Sequence, residues 1–145
     1  MIREAEARDK DAIQFLYQVL CPHAPVRVLS ERIEQIRKDP TNFVYIYEDD
    51  GKVLGTVFFT FCLSPMYGWQ PFGVAENFIV DERYRGQGIG GLLINHVFQI
   101  ARENKCFAVK VFSGSSREKA HQFFEKNGFN SGDKRAFIKY LNREN

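Results

Sequence analysis

One stretch limits the possible folds of this chain more than any other: an apolar run, a charged segment, glycines, and then an amphipathic segment. The apolar run is residues 78–80, and the glycines are Gly86, Gly88 and Gly90. From Gly88 onward apolar side chains recur at helical spacing, on a face made of Ile89, Leu92, Leu93, Val97, Ile100 and Ala101. The stretch therefore predicts a strand, a glycine-rich turn and a helix that starts near Gly88.

The glycine-rich turn predicts a binding site for a phosphate or pyrophosphate. Glycines let the backbone approach a ligand with no side chain in the way. The first N–H groups of the helix have no intrahelical partner, and the helix dipole is positive at that end. Arg83 and Arg85 add positive charge beside the turn. We therefore expect a nucleotide-type anion here.

Three phosphate-binding patterns compete for this turn. The P-loop pattern requires Gly-Lys-Ser/Thr, and no lysine follows these glycines. The spacing Gly86-x-Gly88-x-x-Gly91 matches the dinucleotide fingerprint. That fingerprint requires a tight turn directly after the strand, whereas about five residues separate the predicted strand from Gly86. The next strand candidate, residues 107–112, also has no acidic residue to hold a ribose hydroxyl. The third pattern is Arg85-x-x-Gly88-x-Gly90.

This third pattern resembles the GNAT superfamily of acyl-CoA-dependent N-acetyltransferases, and the resemblance covers nearly the whole chain. Residues 2–5, with Asp9 and Ile13, are similar to the family's first strand and helix. Residues 76–81 are similar to its central strand, and residues 120–129 to its last helix and the turn that follows. The three motifs occur in the family's order and spacing.

Composition and charge favour one soluble domain over residues 1–145. The formal charge is +2 with both signs interspersed, which argues against nucleic-acid binding. Cys21, Cys62 and Cys106 are far apart, so we expect reduced thiols in the cytoplasm and no metal site. No apolar run approaches the ~18–20 residues that cross a membrane.

The order of the elements predicts an α+β fold. Residues 43–47 and 53–63 are predicted strands joined by a tight turn at Asp50-Gly51, and residues 107–112 follow the central strand through a parallel crossover. A closing hairpin is predicted at residues 129–141. The resemblance implies a mixed, mostly antiparallel sheet of six to seven strands with about four flanking helices, its two central strands splayed at a bulge around the pantetheine arm.

Polar residues at three helix starts predict the caps. Asp9 and Ser30 are expected to cap the first two helices, and Ser115 with Glu118 is expected to form a capping box for the last one. Gly128 is expected to end that last helix, because glycine favours the left-handed position there.

The resemblance also implies that the central strand presents the thioester. Backbone N–H groups of Phe78, Ile79 and Val80 are candidates to bind the pantetheine amides and the carbonyl oxygen, which gains negative charge in the reaction. Glu76 lies two residues before Phe78, so a strand period of two places both on one face. An acidic residue here acts as a base in many relatives. A buried carboxylate on an apolar strand is costly without a role or a partner. The alternative to a base role for Glu76 is therefore a salt bridge or an edge position.

The residues implied to bind the cofactor, acetyl-CoA, are Phe78, Ile79, Val80, Arg85, Gly86, Gln87, Gly88, Ile89, Gly90, Gly91, Arg117 and Phe124. Arg117 either touches the cofactor phosphates or is solvated. Phe124 departs from the family pattern, because many relatives have a tyrosine there that protonates the leaving thiolate. Either Tyr84 or Tyr140 replaces it, or the thiolate leaves unaided, or activity is weak or lost. Unaided departure is favoured, because a simple thiol has a pKa of about 8.5.

Two further features have alternative interpretations. The aromatic loop of residues 64–72 either folds Trp69 and Phe72 back on the core or forms a wall of an acceptor pocket. His121 is either a general base or a helical histidine with a structural hydrogen bond.

Together these features predict transfer of an acetyl group from acetyl-CoA to a primary amine, of a small molecule, by direct attack in a ternary complex. The alternatives are an acyl-CoA-binding module without turnover, a protein or peptide amine acetyltransferase, and a nucleotide oxidoreductase. A homodimer is possible by resemblance.

Overall fold

The computed structural model describes residues 1–142 of the chain. Its contacts divide the chain into two compact units, Met1–Phe112 and the segment that starts at Ser113. The single domain expected over residues 1–145 stays a prediction.

The first unit contains the sheet and three helices. Its elements are β1 Ile2–Glu4, α1 Lys10–Leu20, α2 Ser30–Lys38, β2 Asn42–Asp49, β3 Lys52–Cys62, β4 Phe72–Val80, α3 Ile89–Glu103 and β5 Val109–Val111, with short 3₁₀ turns at Ala7–Asp9 and Glu82–Tyr84. The second unit contains α4, Glu118–Lys126. The predicted α+β class and the four helices are confirmed, and β4 is longer than predicted at its start.

The sheet has the strand order β1-β2-β3-β4-β5. Neighbours from β1 to β4 are antiparallel, and β4 pairs with β5 in parallel after the crossover through α3. The predicted mostly antiparallel sheet and the parallel crossover are therefore confirmed. Asp50 and Gly51 both have positive φ in the turn between β2 and β3, as a tight hairpin requires.

The predicted number of strands was wrong. The described residues form five strands rather than six to seven, and residues 135–141 form no strand. Gly132 N–H does donate to Asn130 Oδ1 at 2.7 Å, so the predicted bend is present. Beyond it, Phe137 and Leu141 are 87% and 89% exposed. A largely apolar segment forms a strand only beside a neighbouring strand, and no strand pairs with residues 135–141 within residues 1–142.

Helices cover both faces of the sheet in the first unit. Ile13 of α1 and Ile33 of α2 pack with Val44 and Ile46 of β2 on one face. On the other face α3 approaches so closely that a Cβ at Gly55 would lie 3.1 Å from Leu93 and 3.3 Å from Ile89. The buried side chains of α3 are Ile89, Leu93, Ile94, Val97 and Ala101. Ile94 therefore takes the core position predicted for Leu92, which is 50% exposed.

The three predicted side-chain caps are not made. The Asp9 carboxylate instead accepts hydrogen bonds from Arg3, at 2.8 and 2.9 Å, and from the Glu6 N–H at 2.7 Å. Ser30 is the first residue of α2 rather than its cap. Arg117, with no capping side-chain hydrogen bond, precedes α4, so the box of Ser115 and Glu118 does not form.

The predicted glycine end of α4 is present. Gly128 has φ +92°, its N–H donates to the Glu125 carbonyl at 3.0 Å, and the Phe129 N–H donates to the Phe124 carbonyl at 3.0 Å. These two bonds satisfy carbonyls that the helix leaves without partners.

Candidate cofactor-binding and active site

Strand β4 changes character at a bulge halfway along its length. Its parallel ladder with β5 runs from Gly73 to Ala75, which pairs with Val111, the last residue of β5. On the β3 side, Glu76 faces Phe58 and Ile79 faces Thr56, so two residues of β4 face one of β3. Residues 76–80 therefore have no partner on the β5 side among residues 1–142. The β4–β5 ladder thus stops at the end of β5, just before the bulge, and we call residues 76–80 the open half of β4.

The backbone of the open half of β4 faces two directions. The Asp81 N–H donates to the Leu54 carbonyl at 2.8 Å, so Ile79, two residues earlier, faces β3 in the same way. Val80 lies between them and faces the opposite edge, where its carbonyl accepts a hydrogen bond from Arg85 Nε at 3.0 Å. Of the predicted donors, the N–H of Val80 thus points to the open edge and that of Ile79 to β3.

Asp81 fixes the turn that follows β4. Its carboxylate is buried and accepts hydrogen bonds from the Arg83 N–H at 3.0 Å and from Arg83 Nη2 at 2.8 Å. These bonds hold the pKa of Asp81 below its usual value despite its burial. The Arg83 guanidinium is therefore paired with Asp81, and its expected contribution of positive charge beside the turn stays a prediction.

Arg85 and the glycines form the exposed part of the turn. Arg85 uses Nε for the Val80 carbonyl, and its Nη groups make no hydrogen bond within residues 1–142. Gly86 and Gly88 have φ of +78° and +84°, and nothing lies within 4 Å of a Cβ built on either. Gln87 is exposed between them. This part of the turn presents backbone to solvent, which is the arrangement that an anion needs.

Helix α3 begins at the predicted position. Its first intrahelical bond runs from the Leu92 N–H to the Gly88 carbonyl at 3.1 Å. The N–H groups of Ile89, Gly90 and Gly91 precede that bond and are left for a ligand or solvent. The side chain of Ile89 is 4% exposed and packs in the core, so only its backbone can contact a cofactor.

The environment of Glu76 differs from the predicted one. It is exposed, so the expected buried carboxylate was wrong. The bulge also breaks the period of two: Glu76 and Ile79, three residues apart, face Phe58 and Thr56 on one face of β3. The expectation that Glu76 and Phe78 share one face assumed a regular strand, and the bulge interrupts that regularity. The base role of Glu76 stays a prediction, and so does the catalytic role of Phe78.

Three predicted residues lie in the second unit. The Phe124 ring is buried and lies 5.6 Å from Phe123 and 5.7 Å from Phe129, centroid to centroid. Nε2 of His121 lies 2.8 Å from the Gly114 carbonyl oxygen, which confirms the structural hydrogen bond. Arg117 is half-buried at the start of α4. The cofactor roles of Arg117 and Phe124 stay predictions.

The aromatic loop before β4 is mostly exposed. Trp69 is fully exposed, so the expectation that it folds back on the core was wrong. Tyr67 packs edge-on against Phe107 at 4.6 Å. Phe72, the first residue of β4, is half-buried beneath Lys110, whose Nζ lies 3.9 Å from the ring centroid. The loop is therefore held at Tyr67, the buried Pro71 and Phe72, whereas Met66 and Trp69 face solvent.

The sequence pattern missed the backbone conformation at the bulge. Asn77 has φ +52° there. Burial raises the pKa of Tyr17 on α1 to about 12, against a smaller opposing effect of Asn77. Asparagine tolerates positive φ better than most residues, which was the one available signal.

Two searches of residues 1–142 gave negative results. No group of three or more His, Cys, Asp or Glu side chains is placed to hold a metal ion. None of the helices in this part of the chain combines the length and the apolar character needed to span a bilayer.

Comparisons with known proteins agree with this geometry. The sequence profile of the Acetyltransferase (GNAT) family matches residues 10–129. The glucosamine 6-phosphate N-acetyltransferase of Trypanosoma brucei brucei is 30% identical over 93 residues, which are 63% of this chain and 60% of that protein. The chain thus spans less than two thirds of this relative.

Solved structures with the same fold cover nearly the whole chain. A putative acetyltransferase from Agrobacterium tumefaciens has a TM-score of 0.86 and 24% identity, over 97% of this chain and 99% of that one. An aminoglycoside acetyltransferase from an uncultured soil metagenomic sample has a TM-score of 0.83 and 18% identity, over 99% of this chain and 96% of that one. With the profile match over residues 10–129, this chain belongs to the GNAT family of acetyltransferases, and the bulged strand β4 and the glycine turn agree with that assignment.

Proposed function

We propose that this protein transfers the acetyl group of acetyl-CoA to a primary amine of a small molecule, by direct attack in a ternary complex. The observation that carries the proposal is the order of features along one segment. The β4–β5 ladder stops before the bulge, and the open half of β4 leads directly into the glycine turn and the N-terminus of α3. One extended ligand with an amide-rich arm and a pyrophosphate fits that order.

The glycine turn binds the pyrophosphate of the cofactor. Backbone N–H groups of residues 86–91 donate to its oxygens, and the positive end of the α3 dipole favours its charge. Arg85 adds a guanidinium that is already oriented by the Val80 carbonyl at 3.0 Å. The open space around Gly86 and Gly88 supports this close backbone contact.

The open half of β4 binds the pantetheine arm and the thioester. Those backbone groups of residues 78–80 that face the open edge, Val80 among them, pair with the pantetheine amides, as a strand would, and a backbone N–H there stabilises the carbonyl oxygen as it gains negative charge. The orientation of Val80 toward the open edge supports this role. The amine nitrogen then attacks the carbonyl carbon, the carbon–sulfur bond breaks, and coenzyme A leaves as a thiolate.

Glu76 removes the proton that the attacking amine must lose. An ammonium with a pKa of about 10.4 cannot attack, so a base is needed at neutral pH. Glu76 is exposed at the bulge, where a water molecule can relay the proton between the amine and the carboxylate. The relay is favoured over direct transfer because the exposed carboxylate is ordinarily hydrated.

The leaving thiolate departs without a proton donor at position 124. Phe124 has no hydroxyl, and its ring is occupied by contacts with Phe123 and Phe129. If a donor were needed, Phe124→Tyr would raise kcat several-fold. We expect a gain below twofold, because a thiol with a pKa of about 8.5 is a fair leaving group at neutral pH.

An amino sugar is the first acceptor to test. The one relative named above with 30% identity is described as acting on glucosamine 6-phosphate, which is a small primary amine. The amine of a protein or peptide is the second candidate. A cytoplasmic location is also proposed, and it is supported by the three free cysteines. A homodimer stays a prediction that light scattering would test.

Release of free thiol from acetyl-CoA across a panel of amines tests the proposed function. The panel contains amino sugars, aminoglycosides, polyamines, amino acids and peptides. We expect thiol release with at least one small amine, together with a mass increase of that amine by one acetyl group. Acetyl-CoA that binds in calorimetry without turnover on any amine would instead favour the acyl-CoA-binding module that Phe124 suggests. Stabilisation by NAD rather than acetyl-CoA in a thermal-shift assay would contradict both.

A further inference from the structure

The carbonyl of Val80 lies where β4 has a neighbour on the β3 side alone. The Cα partner of Val80 on β3 is Gly55, and the Asp81 N–H donates to the Leu54 carbonyl at 2.8 Å. This is the pattern of a non-hydrogen-bonded pair, so the backbone groups of Val80 face away from β3. They face the edge that β5 covers only as far as Ala75. Because Val80 is buried, its carbonyl needs a donor, and β5 does not supply one.

Arg85 supplies that donor from the turn. Its Nε donates to the Val80 carbonyl oxygen at 3.0 Å, and the rest of the side chain is exposed. The Nη groups make neither a hydrogen bond nor an ion pair with another group of residues 1–142. The guanidinium is therefore held at the open edge by a bond to a neutral carbonyl, and its charge is left without a carboxylate partner in this part of the chain.

This bond competes with the role of Val80 in the proposed function. A ligand that pairs with the open half of β4 like a strand donates an amide N–H to the same carbonyl oxygen. A donor 3.0 Å from that oxygen, on the edge where the ligand would lie, takes the place of the ligand's amide. A pyrophosphate, however, offers the guanidinium a stronger, charge-assisted partner than a neutral carbonyl does. A ligand with both groups therefore replaces each bond that it breaks.

We propose that Arg85 is a specificity-determining residue that covers the open half of β4 until a pyrophosphate draws its guanidinium away from Val80. This inference rests on the proposed function, in which the glycine turn beside Arg85 binds that pyrophosphate. With a coenzyme A thioester, the guanidinium gains an anion and the Val80 carbonyl gains an amide N–H. An acyl-pantetheine without the pyrophosphate breaks the Arg85 bond and gives the guanidinium no new partner. Arg85 thus selects coenzyme A thioesters over shorter thioesters of the same acyl group.

Two ligands and two variants test this selection. Acetyl-CoA carries the pyrophosphate, and S-acetylpantetheine carries the same thioester and pantetheine amides without it. Arg85→Ala removes the cover and the charge together. Arg102→Ala is the matched control, because Arg102 is also exposed but lies in the last turn of α3, beside Phe98. The length of the helix places it about 20 Å from the glycine turn, which is beyond the range of unscreened charge at physiological salt.

We expect Arg85→Ala to change the two affinities in opposite directions. The Kd of acetyl-CoA should rise about tenfold, because the pyrophosphate loses a charged partner. The Kd of S-acetylpantetheine should fall at least about threefold, because the edge is uncovered. Arg102→Ala should leave both within about twofold of the parent. NMR titrations followed on the backbone amides of residues 80–91 measure both affinities into the millimolar range.

The affinity for S-acetylpantetheine decides the proposal. An affinity in Arg85→Ala that equals the parent's would overturn it, because a residue that only binds phosphate gives that result. A weaker affinity would also overturn it, because a residue that supports the strand gives that result. If the parent does not bind acetyl-CoA, the proposed function fails, and the exchange at Arg85 fails with it.

A crystal structure of the parent with coenzyme A gives a readout that does not depend on the variants. In that complex Arg85 Nε should lie farther than about 3.5 Å from the Val80 carbonyl oxygen, and a pantetheine amide nitrogen should lie within hydrogen-bond distance of it. An Arg85–Val80 bond that persists in the complex would overturn the proposal and leave the proposed function intact.

Discussion

The two halves of β4 have opposite roles although they belong to one strand. Residues 72–75 pair with β3 and, from Gly73, with β5. Gly73 is so enclosed that a Cβ would lie 2.5 Å from the ring of Phe59. Residues 76–80 pair with β3 alone, contain a bulge and lead into a turn whose glycines have open space around them. The first half supports the sheet, and the second half exposes backbone.

The difference shows how a small domain makes a binding site from its own sheet. Where both neighbours are present, the backbone groups of β4 are used and side chains must be small enough for close packing. Where one neighbour has ended, the same backbone groups are available to a ligand that can pair like a strand. The site therefore depends on where the β4–β5 ladder stops, after Ala75 and Val111.

The largest expected effect is on the exposed backbone of the turn. Gly88→Glu/Gly90→Glu should weaken acetyl-CoA binding at least a hundredfold, because two carboxylates would occupy and repel the pyrophosphate position. Calorimetry with acetyl-CoA measures it. Unchanged affinity would show that the cofactor binds elsewhere, and the contrast between the halves of β4 would lose its functional meaning.

A control for this variant uses the same change at a distant glycine. Gly51 has φ +74°, close to the +84° of Gly88, and also has open space around a Cβ. Gly51→Glu should therefore cost a similar amount of backbone strain while acetyl-CoA affinity stays within twofold of the parent. A large loss of affinity in Gly51→Glu would mean that strain, rather than charge at the turn, explains the first result.

The next largest effect is expected on the free energy of unfolding, from a change in residues 72–75, the closed half of β4. Gly73→Ala should lower the free energy of unfolding by about 1–3 kcal/mol, because the new methyl group overlaps the Phe59 ring in the core. Urea denaturation measures it. Gly91→Ala is the control, since nothing lies within 4 Å of its Cβ and alanine favours a helix. A Gly73→Ala protein as stable as the parent would show that the closed half is not tightly packed.

A smaller effect is expected at the first residue of the open half. Glu76→Gln should lower kcat about tenfold, or about 1.4 kcal/mol in the activation barrier, and should flatten the pH dependence of the rate. Steady-state kinetics between pH 6 and pH 9 measures both. Glu82→Gln is the control, because Glu82 is also exposed and follows the strand. A pH profile identical to the parent's would remove Glu76 from the mechanism.

The smallest effect is expected away from the open half of β4, at His96 of α3. Its Nε2 is buried without a hydrogen-bond partner within residues 1–142, and its ring lies edge-on to Tyr45 at 4.4 Å. Burial lowers the pKa of His96, against a smaller opposing effect of Glu103. The unfolded chain therefore binds this proton more readily, so stability should be full above about pH 6.5 and fall as the pH decreases below it.

Denaturation at pH 5.0 and pH 7.5 measures this contribution. His96→Leu should reduce the stability difference between the two pH values by about 1 kcal/mol or less, because the variant has no proton to gain. Its kcat at pH 7.5 should match the parent's. A drop in kcat would show that the position of His96 on α3 is coupled to the open half of β4.

Features that depend on near neighbours in the chain were predictable. The glycines at 86, 88 and 90 and the apolar period after them predicted the turn and the start of α3 to within a residue. Asp50-Gly51 likewise predicted its hairpin turn. In each case a few adjacent residues carry the conformational preference, so the pattern is legible without the rest of the fold.

Features that depend on distant residues were not predictable. Residues 135–141 were predicted as a strand, but a strand exists only where another pairs with it. The pairing of the Arg83 guanidinium with the buried Asp81 was not visible in the sequence pattern. Glu76 was expected on the face of Phe78, and the bulge at Asn77 changed the alternation. The Arg3 guanidinium forms ion pairs with Asp9 at 2.8 Å and with Glu48 at 3.1 Å. Glu48 lies 45 residues from Arg3 in the chain.

The sequence by itself determined the glycine turn, the helix behind it and the family to which the chain belongs, because these depend on local backbone freedom and side-chain period. Only the tertiary structure decided where β4 leaves β5 and which backbone groups stay exposed. That outcome depends on the pairing of β4 with β3 and β5 and on the packing of α1 against it, which bring together residues far apart in the chain. A backbone conformation that costs free energy locally is stable only where such a distant contact compensates for it.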